Sequence, residues 1–256
     1  MSGTPHSFTA GPPSQGVNDD LRILTILLLA PSAAATPARR WIEDWDTPLV
    51  VKTGARVETL RWILRLAGRV ELTAAPSAPR LETLPVETAE LVMDLYRRLG
   101  GIQDSPRLAP GPWDVAYSDG LLLELDEDLH FHRYRGTTLN APWAELLPWT
   151  VPYRQYVRDG ERRAGIGGRR WTSPSAERLF GRADPDGVFG VHGAPRWKQR
   201  ALYDAMKDAA AAVGQVRLAR ISIYDTVEDV ALNDVLYGRA HVSSDAIAEL
   251  VNQRTS

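Results

Sequence analysis

The chain has 256 residues, of which 44% are hydrophobic and 24% charged, with a formal net charge of -2 and no cysteine. This length allows one large domain or two small ones, and the composition allows a buried core. The absence of cysteine excludes disulfides, thiolate nucleophiles and cysteine-based zinc sites, and it fits the cytoplasm, where we expect the protein to reside. The nearly balanced charge indicates no partner by itself, although a local basic patch is compatible with it.

The N-terminal part of the sequence has little periodicity. Residues 1–18 are rich in turn formers and predict a disordered leader. The apolar run LRILTILLLAPSAAA that follows is too short to span a bilayer, and acidic rather than basic residues precede it. We therefore predict a buried element instead of a cleaved signal, and no membrane association. Residues 19–80 are predicted to form an N-terminal subdomain of unknown role, which ends in the Pro-containing stretch 73–85.

Residues 81–256 contain most of the recognisable elements. Helical spacing of apolar residues predicts helices over 55–67, 86–99 and 196–213, and VRLARISIYD (216–225) predicts a buried strand. The region at about 145–195 is rich in Gly, Pro and Arg, so we predict a long inserted loop region there, and such loops are usually functional or mobile. The order of elements predicts an α/β fold.

Residues 113–126, WDVAYSDGLLLELD, predict a β-hairpin. Side chains alternate faces along a strand. The predicted faces of its second strand are Leu121, Leu123 and Leu125 on one side and Leu122, Glu124 and Asp126 on the other. A three-residue loop over 118–120 would pair Tyr117 with Leu121 and therefore set Asp114 opposite Glu124.

Two carboxylates facing each other across a hairpin destabilise it unless something compensates their charge. A hard divalent cation such as Mg²⁺ can do so, because it is held by one or two carboxylates together with water and phosphate oxygens. Two alternatives stay open at this point. A two-residue loop would set Asp114 opposite Leu125, and an edge hairpin would leave its acidic face in solvent.

The text WDVAYSDGLLLELDEDLHFH resembles the PD-(D/E)XK nuclease superfamily, in particular its very-short-patch-repair-like members. The similarity covers about residues 86–225 without 140–195. It implies a restriction-endonuclease-like mixed sheet flanked by helices and a metal-dependent endonuclease that cleaves the phosphodiester bonds of DNA with Mg²⁺ or Mn²⁺. Two positions depart from the pattern, since Asp126 replaces the usual lysine and Glu127 replaces a glycine.

The resemblance also implies roles for individual residues. Asp114 and Glu124 would bind the metal, and Asp126 would be an auxiliary ligand or orient the water. His130 or His132 would be the general base or acid. Further candidates are Glu87 or Glu90 as an additional metal ligand. Lys198 and Gln199 are candidates to replace the displaced lysine.

The predicted insertion contains the arginine-rich stretch YRQYVRDGERRAGIGGRRW, residues 153–171. Guanidinium groups pair with phosphates, and aromatic side chains stack on unpaired bases. The predicted nucleic-acid contacts are Arg154, Arg158, Arg162, Arg163, Arg169, Arg170 and Trp171. The alternative is a solvated loop whose arginines pair with acidic neighbours.

Three functions follow from these patterns. The first is a metal-dependent nuclease acting on DNA. The second is a catalytically inactive module that binds nucleic acid or protein, which the missing lysine and Glu127 favour. The third is a metal enzyme that uses Asp128, His130 and His132, because two histidines two positions apart share a face if the strand continues.

Overall fold

Residues 54–165 and 170–256 are described by a computed structural model of the chain. The predicted leader, the apolar run after Leu21 and Arg169 lie outside these residues. The described residues belong to one compact unit. Among the helices within them, none combines the length and the apolar character needed to cross a bilayer.

The described residues form eight α-helices and five strands. The helices are α1 (Ala55–Leu66), α2 (Val86–Arg98), α3 (Arg133–Thr138), α4 (Thr150–Ala164), α5 (Pro174–Phe180), α6 (Pro195–Ala212), α7 (Leu232–Leu236) and α8 (Ser244–Gln253). The strands are β1 (Val115–Ala116), β2 (Leu121–Asp126), β3 (Arg217–Ser222), β4 (Thr226–Val227) and β5 (Val230–Ala231). The three predicted helices and the three predicted strands are therefore confirmed, with boundaries shifted by a few residues at most.

The principal sheet is mixed and has the order β1-β2-β3. β1 runs antiparallel to β2, and β2 runs parallel to β3, which is reached through the helices between them. Single antiparallel bridges extend both edges, from Glu71 to Tyr117 and from Ala219 to Thr255. β4 and β5 form a separate small hairpin. The predicted α/β class is confirmed.

The β1–β2 hairpin has the predicted register. Val115 pairs with Leu123, and the N–H of Tyr117 donates to the carbonyl of Leu121 at 2.8 Å. Gly120 closes the loop with φ +82°, a conformation that costs a glycine little. Extending the register by one pair sets Asp114 opposite Glu124, so the alternative with a two-residue loop is wrong.

All six residues of β2 are buried, because helices cover both faces of the sheet. The leucines at 121, 123 and 125 pack in one cluster with residues of α1, α7 and α8, as the alternation predicted. The face that carries Glu124 and Asp126 turns instead toward α6. The alternative of an edge hairpin with a solvated acidic face is therefore wrong.

Two predictions about organisation differ from the structure. The inserted region contains two helices, α4 and α5, rather than a long loop. In α4 the buried positions Tyr153, Val157, Gly160 and Ala164 form a helical stripe, which the high arginine and glycine content obscures in the sequence. The predicted boundary near residue 80 also does not separate two bodies, since α1 packs on the same cluster as β2.

A buried charged layer and a candidate metal centre

Six charged side chains meet between the principal sheet and α6. Strand alternation directs Glu124, Asp126 and Arg220 to the face that α6 covers, and Glu124 lies beside Arg220 in the parallel register. Helical spacing directs Asp204, Lys207 and Asp208 from α6 toward them. All six are at most 6% exposed, and we call them the charged layer. Burying charges costs free energy unless they are paired, so the pairing explains why a core strand can carry acids.

The layer opens to solvent at His130, which follows β2 at the end of a short 3-10 helix. Its Nδ1 lies 3.0 Å from Oδ1 of Asp126 and 2.9 Å from Oδ2 of Asp204. The His130 side chain is 20% exposed, whereas those of Asp126 and Asp204 are 1% and 7% exposed. Asp126, His130 and Asp204 each offer one ligand atom, and these three atoms lie within 4.8 Å of one another. Among residues 54–165 and 170–256, this is the group of His, Asp and Glu side chains that could hold a metal ion.

Two buried arginines hold the carboxylates of the layer. Arg220 Nη1 donates to both oxygens of Asp126, at 2.9 and 2.7 Å, and its Nε lies 3.1 Å from Asp208, without the alignment of a hydrogen bond. Arg135, which is also fully buried, places Nη2 at 2.8 Å from Asp208. These contacts pair the buried carboxylates of Asp126 and Asp208 with positive charge.

The charges of Asp126 and Asp204 determine which groups can lie between them. Burial by itself would raise the pKa of Asp126, but Arg220 and His130 outweigh it and lower that pKa. Burial acts in the same way on Asp204, and His130 and Arg220 hold its pKa well below the usual range. Both groups are therefore carboxylates near neutral pH. A proton donated by the ring nitrogen, or a cation held by the three atoms, would compensate the negative charge at this position.

The second part of the layer contains Glu124, and Asp114, its predicted acidic partner, lies beside it. Lys207 Nζ donates to Glu124 Oε1 at 2.7 Å and to the carbonyl of Pro112 at 3.0 Å. Asp114 Oδ2 accepts the backbone N–H of Leu125 at 2.8 Å. Burial raises the pKa of Glu124 to about 7, with Lys207 opposing this shift and Asp114 adding to it. Asp114 and Glu124 thus lie opposite each other as predicted, and Lys207 supplies a compensating charge where the sequence predicted a divalent cation.

Lys198 does not reach this pair. It lies nine residues before Lys207 on α6, which corresponds to a rotation of roughly 180° about the helix axis. Its Nζ is 5.4 Å from the ring centre of Tyr134 and 5.9 Å from that of Phe180. The prediction that Lys198 replaces the missing lysine is therefore wrong, because the lysine that lies beside Asp114 and Glu124 is Lys207.

The three-residue metal site predicted on Asp128, His130 and His132 is not formed. The chain turns into a 3-10 helix after β2, so the two histidines do not share a strand face. His132 caps α3, its ring stacks on Trp197 at 4.8 Å, and burial lowers its pKa well below the usual range. Asp128 accepts the hydroxyl of Tyr224 at 2.6 Å.

Residues 94–238 match a family of unknown function, DUF7255. The chain belongs to this family. The matched segment contains the whole charged layer together with Asp114 and His130. No curated protein and no solved structure matches the chain.

The glutamates predicted as additional ligands lie just before the DUF7255 segment. Glu87 and Glu90 are both exposed at the start of α2. Glu90 lines a surface groove between α2 and the turn at Leu81–Thr83. Neither joins the group of ligand atoms around His130.

The basic residues of the DUF7255 segment have varied surroundings. Arg154 pairs with Glu145 at 2.5 Å, and Arg163 lies 5.3 Å from the ring centre of Tyr224. Arg158 contacts Gln155, while Arg162 and Arg170 are exposed. These contacts leave phosphate binding by the arginines a prediction.

Trp171 does not have the position expected of a residue that stacks on bases. It is 3% exposed and packs with Ala164, Ala194 and Trp197 in a small core cluster. Its Nε1 donates to the carbonyl of Asp184 at 2.8 Å. The prediction that Trp171 contacts nucleic acid is therefore wrong for this structure.

Proposed function

We propose that the protein is a metal-dependent hydrolase that cleaves phosphodiester bonds of DNA. The observation that carries this proposal is the convergence of Asp126, His130 and Asp204 from three separate elements. Ligand atoms bound at about 2.1 Å in octahedral geometry lie about 3.0 Å apart along each edge. The separations of 3.0 and 2.9 Å from His130 Nδ1 to the two carboxylates fit that spacing.

The donor set indicates the class of ion. Carboxylates suit Mg²⁺ and Mn²⁺, whereas imidazole suits transition metals, so a set of two carboxylates and one imidazole favours Mn²⁺ over Mg²⁺. Such an ion would lower the pKa of a coordinated water and neutralise charge on phosphate oxygens.

The surrounding side chains of the layer have defined roles in this proposal. Arg220 holds both oxygens of Asp126 and so orients the carboxylate toward His130. Glu124 has a pKa of about 7 and can accept a proton at neutral pH, which suits a general base. Lys207 positions Glu124 and balances the charge of Asp114 beside it. In the nuclease resemblance, the acidic pair itself holds the metal, and that arrangement stays a prediction.

The connection of the strands also supports the resemblance to nucleases. An acidic residue at the start of β1, a short loop, and Glu-x-Asp at the end of β2 are followed by α6 and the parallel strand β3. Because β2 and β3 are parallel, their carboxyl ends lie at the same edge of the sheet as Asp114. A substrate phosphate approaching this edge would meet His130 first, since His130 is the exposed member of the ligand group.

Thermal unfolding with and without Mn²⁺ tests the metal site. An ion that binds only the folded state raises the melting temperature. At a Mn²⁺ concentration of 100 times the Kd, the free energy of unfolding rises by about 2.7 kcal/mol. We expect this response in the wild type and in the control Asp234→Asn, a partly exposed acid on α7 that pairs with Arg239. We expect its loss in Asp204→Asn. If Glu124→Gln loses the response and Asp204→Asn keeps it, the metal is held by the acidic pair instead.

Cleavage of a DNA substrate in the presence of Mn²⁺ tests the activity. We expect the Asp204→Asn and Glu124→Gln variants to lose cleavage while the Asp234→Asn control retains it. Circular dichroism confirms that each variant is folded. Full cleavage by both site variants would refute the proposed hydrolase.

A second candidate function is a non-catalytic module that binds nucleic acid or protein. The pairing of both Asp126 oxygens with Arg220 favours it, because a guanidinium so close repels a cation and supplies a counter-charge to the buried acid without a metal. This function predicts that Mn²⁺ leaves the melting temperature of the wild type unchanged.

A further inference from the structure

The charged face of α6 continues beyond the layer toward the start of the helix. Charged residues recur there at every fourth position, at Arg196, Arg200, Asp204 and Asp208. The carboxylates lie at the buried end of this stripe, whereas Arg196 and Arg200 are half-buried at its open end. The stripe therefore leads from the candidate metal centre to the surface.

Backbone contacts fix the arginines of the open end. Arg200 Nη1 donates to the carbonyl of Leu129 at 3.1 Å, which holds Arg200 next to His130. The backbone N–H of Arg196 donates to the carbonyl of Trp171 at 3.1 Å. Arg170, the residue before Trp171, is thereby brought to the start of α6, and its side chain is exposed.

None of these three arginines forms an ion pair with an Asp or Glu of residues 54–165 and 170–256, in contrast to Arg220 in the layer and Arg135 beside it. Arg196 Nη1 instead donates to the neutral side chain of Gln199 at 2.6 Å. Arg196 also lies in the first turn of α6, where the helix macrodipole disfavours a cation.

Burial and mutual repulsion also disfavour the positive charges of Arg196 and Arg200. Burial lowers the pKa of Arg200 to about 10. The carboxylate of Asp204 opposes this shift, whereas Arg196 and Arg170 add to it. Burial likewise lowers the pKa of Arg196, and Arg170 contributes. An anion between the three groups would relieve both the repulsion and the loss of hydration.

We propose that Arg170, Arg196 and Arg200 bind a phosphate group of a polynucleotide beside the Asp126–His130–Asp204 group. Guanidinium groups match phosphate oxygens with two parallel hydrogen bonds, and three of them can hold one phosphate from several sides. The choice of a polynucleotide rests on the proposed function, because a phosphate held next to His130 would be a neighbour of the bond to be cleaved. The binding of a phosphate anion rests on the arginines alone.

Fluorescence anisotropy with a labelled DNA oligonucleotide tests this site in EDTA, so that the result does not depend on the metal centre. We expect Arg170→Gln, Arg196→Gln and Arg200→Gln each to weaken binding about tenfold. Each should also reduce the slope of log affinity against log salt by about 1. The control is Arg97→Gln, which removes an equal charge from an exposed arginine that already pairs with Asp94.

Unchanged affinity in all three variants would overturn the proposal, even if DNA cleavage is observed. Arg170→Gln is decisive should Arg196→Gln or Arg200→Gln unfold, because its side chain is exposed and supports no core contact. Inorganic phosphate should compete with the oligonucleotide at the same site. If phosphate raises the melting temperature through these arginines and the oligonucleotide does not bind, the site takes a free phosphate and the polynucleotide assignment fails.

Discussion

Lys207 donates a hydrogen bond to Glu124 at 2.7 Å although the two residues are 83 positions apart in the chain. The contact joins α6 to β2 in the middle of the charged layer. It shows how a strand that carries acids can be central to a core, because the helix above it supplies the counter-charge.

Replacing Lys207 by Met should destabilise the protein in a pH-dependent manner. Removing one partner of a buried ion pair typically costs about 3–5 kcal/mol. Glu124 can escape this cost by taking up a proton, since burial already raises its pKa to about 7. Urea unfolding of Lys207→Met should therefore show a larger loss at pH 9 than at pH 6. Adding Glu124→Gln should recover part of the loss at pH 9, and an equal loss at both pH values would contradict the pairing.

The raised pKa of Glu124 predicts a pH dependence for the wild type itself. The folded state holds this proton up to about pH 7, whereas the unfolded chain releases it near the ordinary glutamate pKa of 4.5. The protonated Glu124 therefore adds up to about 3 kcal/mol to the free energy of unfolding. This contribution is fully present below pH 4.5 and is lost as the pH rises through 7. For the wild type, the urea concentration at the midpoint of unfolding should fall as the pH rises from 5 to 8. Glu124→Gln should lack this part of the slope, and identical slopes would refute the shift.

Replacing Arg220 by Met should destabilise the fold by about 3–5 kcal/mol, because Asp126 would lose the arginine that holds both its oxygens and Asp208 would keep only Arg135. The matched control is Arg217→Met on the same strand. Arg217 pairs with Asp119 at the surface, where a salt bridge contributes at most about 1 kcal/mol. Chemical denaturation measures both, and similar losses in the two variants would exclude a special role for Arg220. Mn²⁺ should restore part of the stability of Arg220→Met if the acids hold a cation.

Replacing Trp171 by Ala should cost about 3–5 kcal/mol of stability, as expected for a large aromatic side chain in a core. Its affinity for DNA should stay unchanged at temperatures where the variant is folded. Trp62→Ala is the control, since Trp62 is 45% exposed on α1 and should matter much less. A selective loss of DNA binding in a stable Trp171→Ala variant would restore the stacking role that the structure argues against.

The sequence by itself determined the local elements. Helical periodicity predicted α1, α2 and α6, and the loop 118–120 fixed the hairpin register that sets Asp114 opposite Glu124. These features depend on neighbours within a few positions, for which the spacing rules of helices and strands are sufficient.

The tertiary structure alone decided which charges meet. Asp126 and Arg220 are 94 positions apart, and their contact depends on the parallel pairing of β2 with β3. Asp204 joins His130 only because α6 packs across that sheet face, 74 positions away in the chain. No local spacing encodes these contacts, since they arise when buried charges must find partners that the packing of distant elements brings within reach.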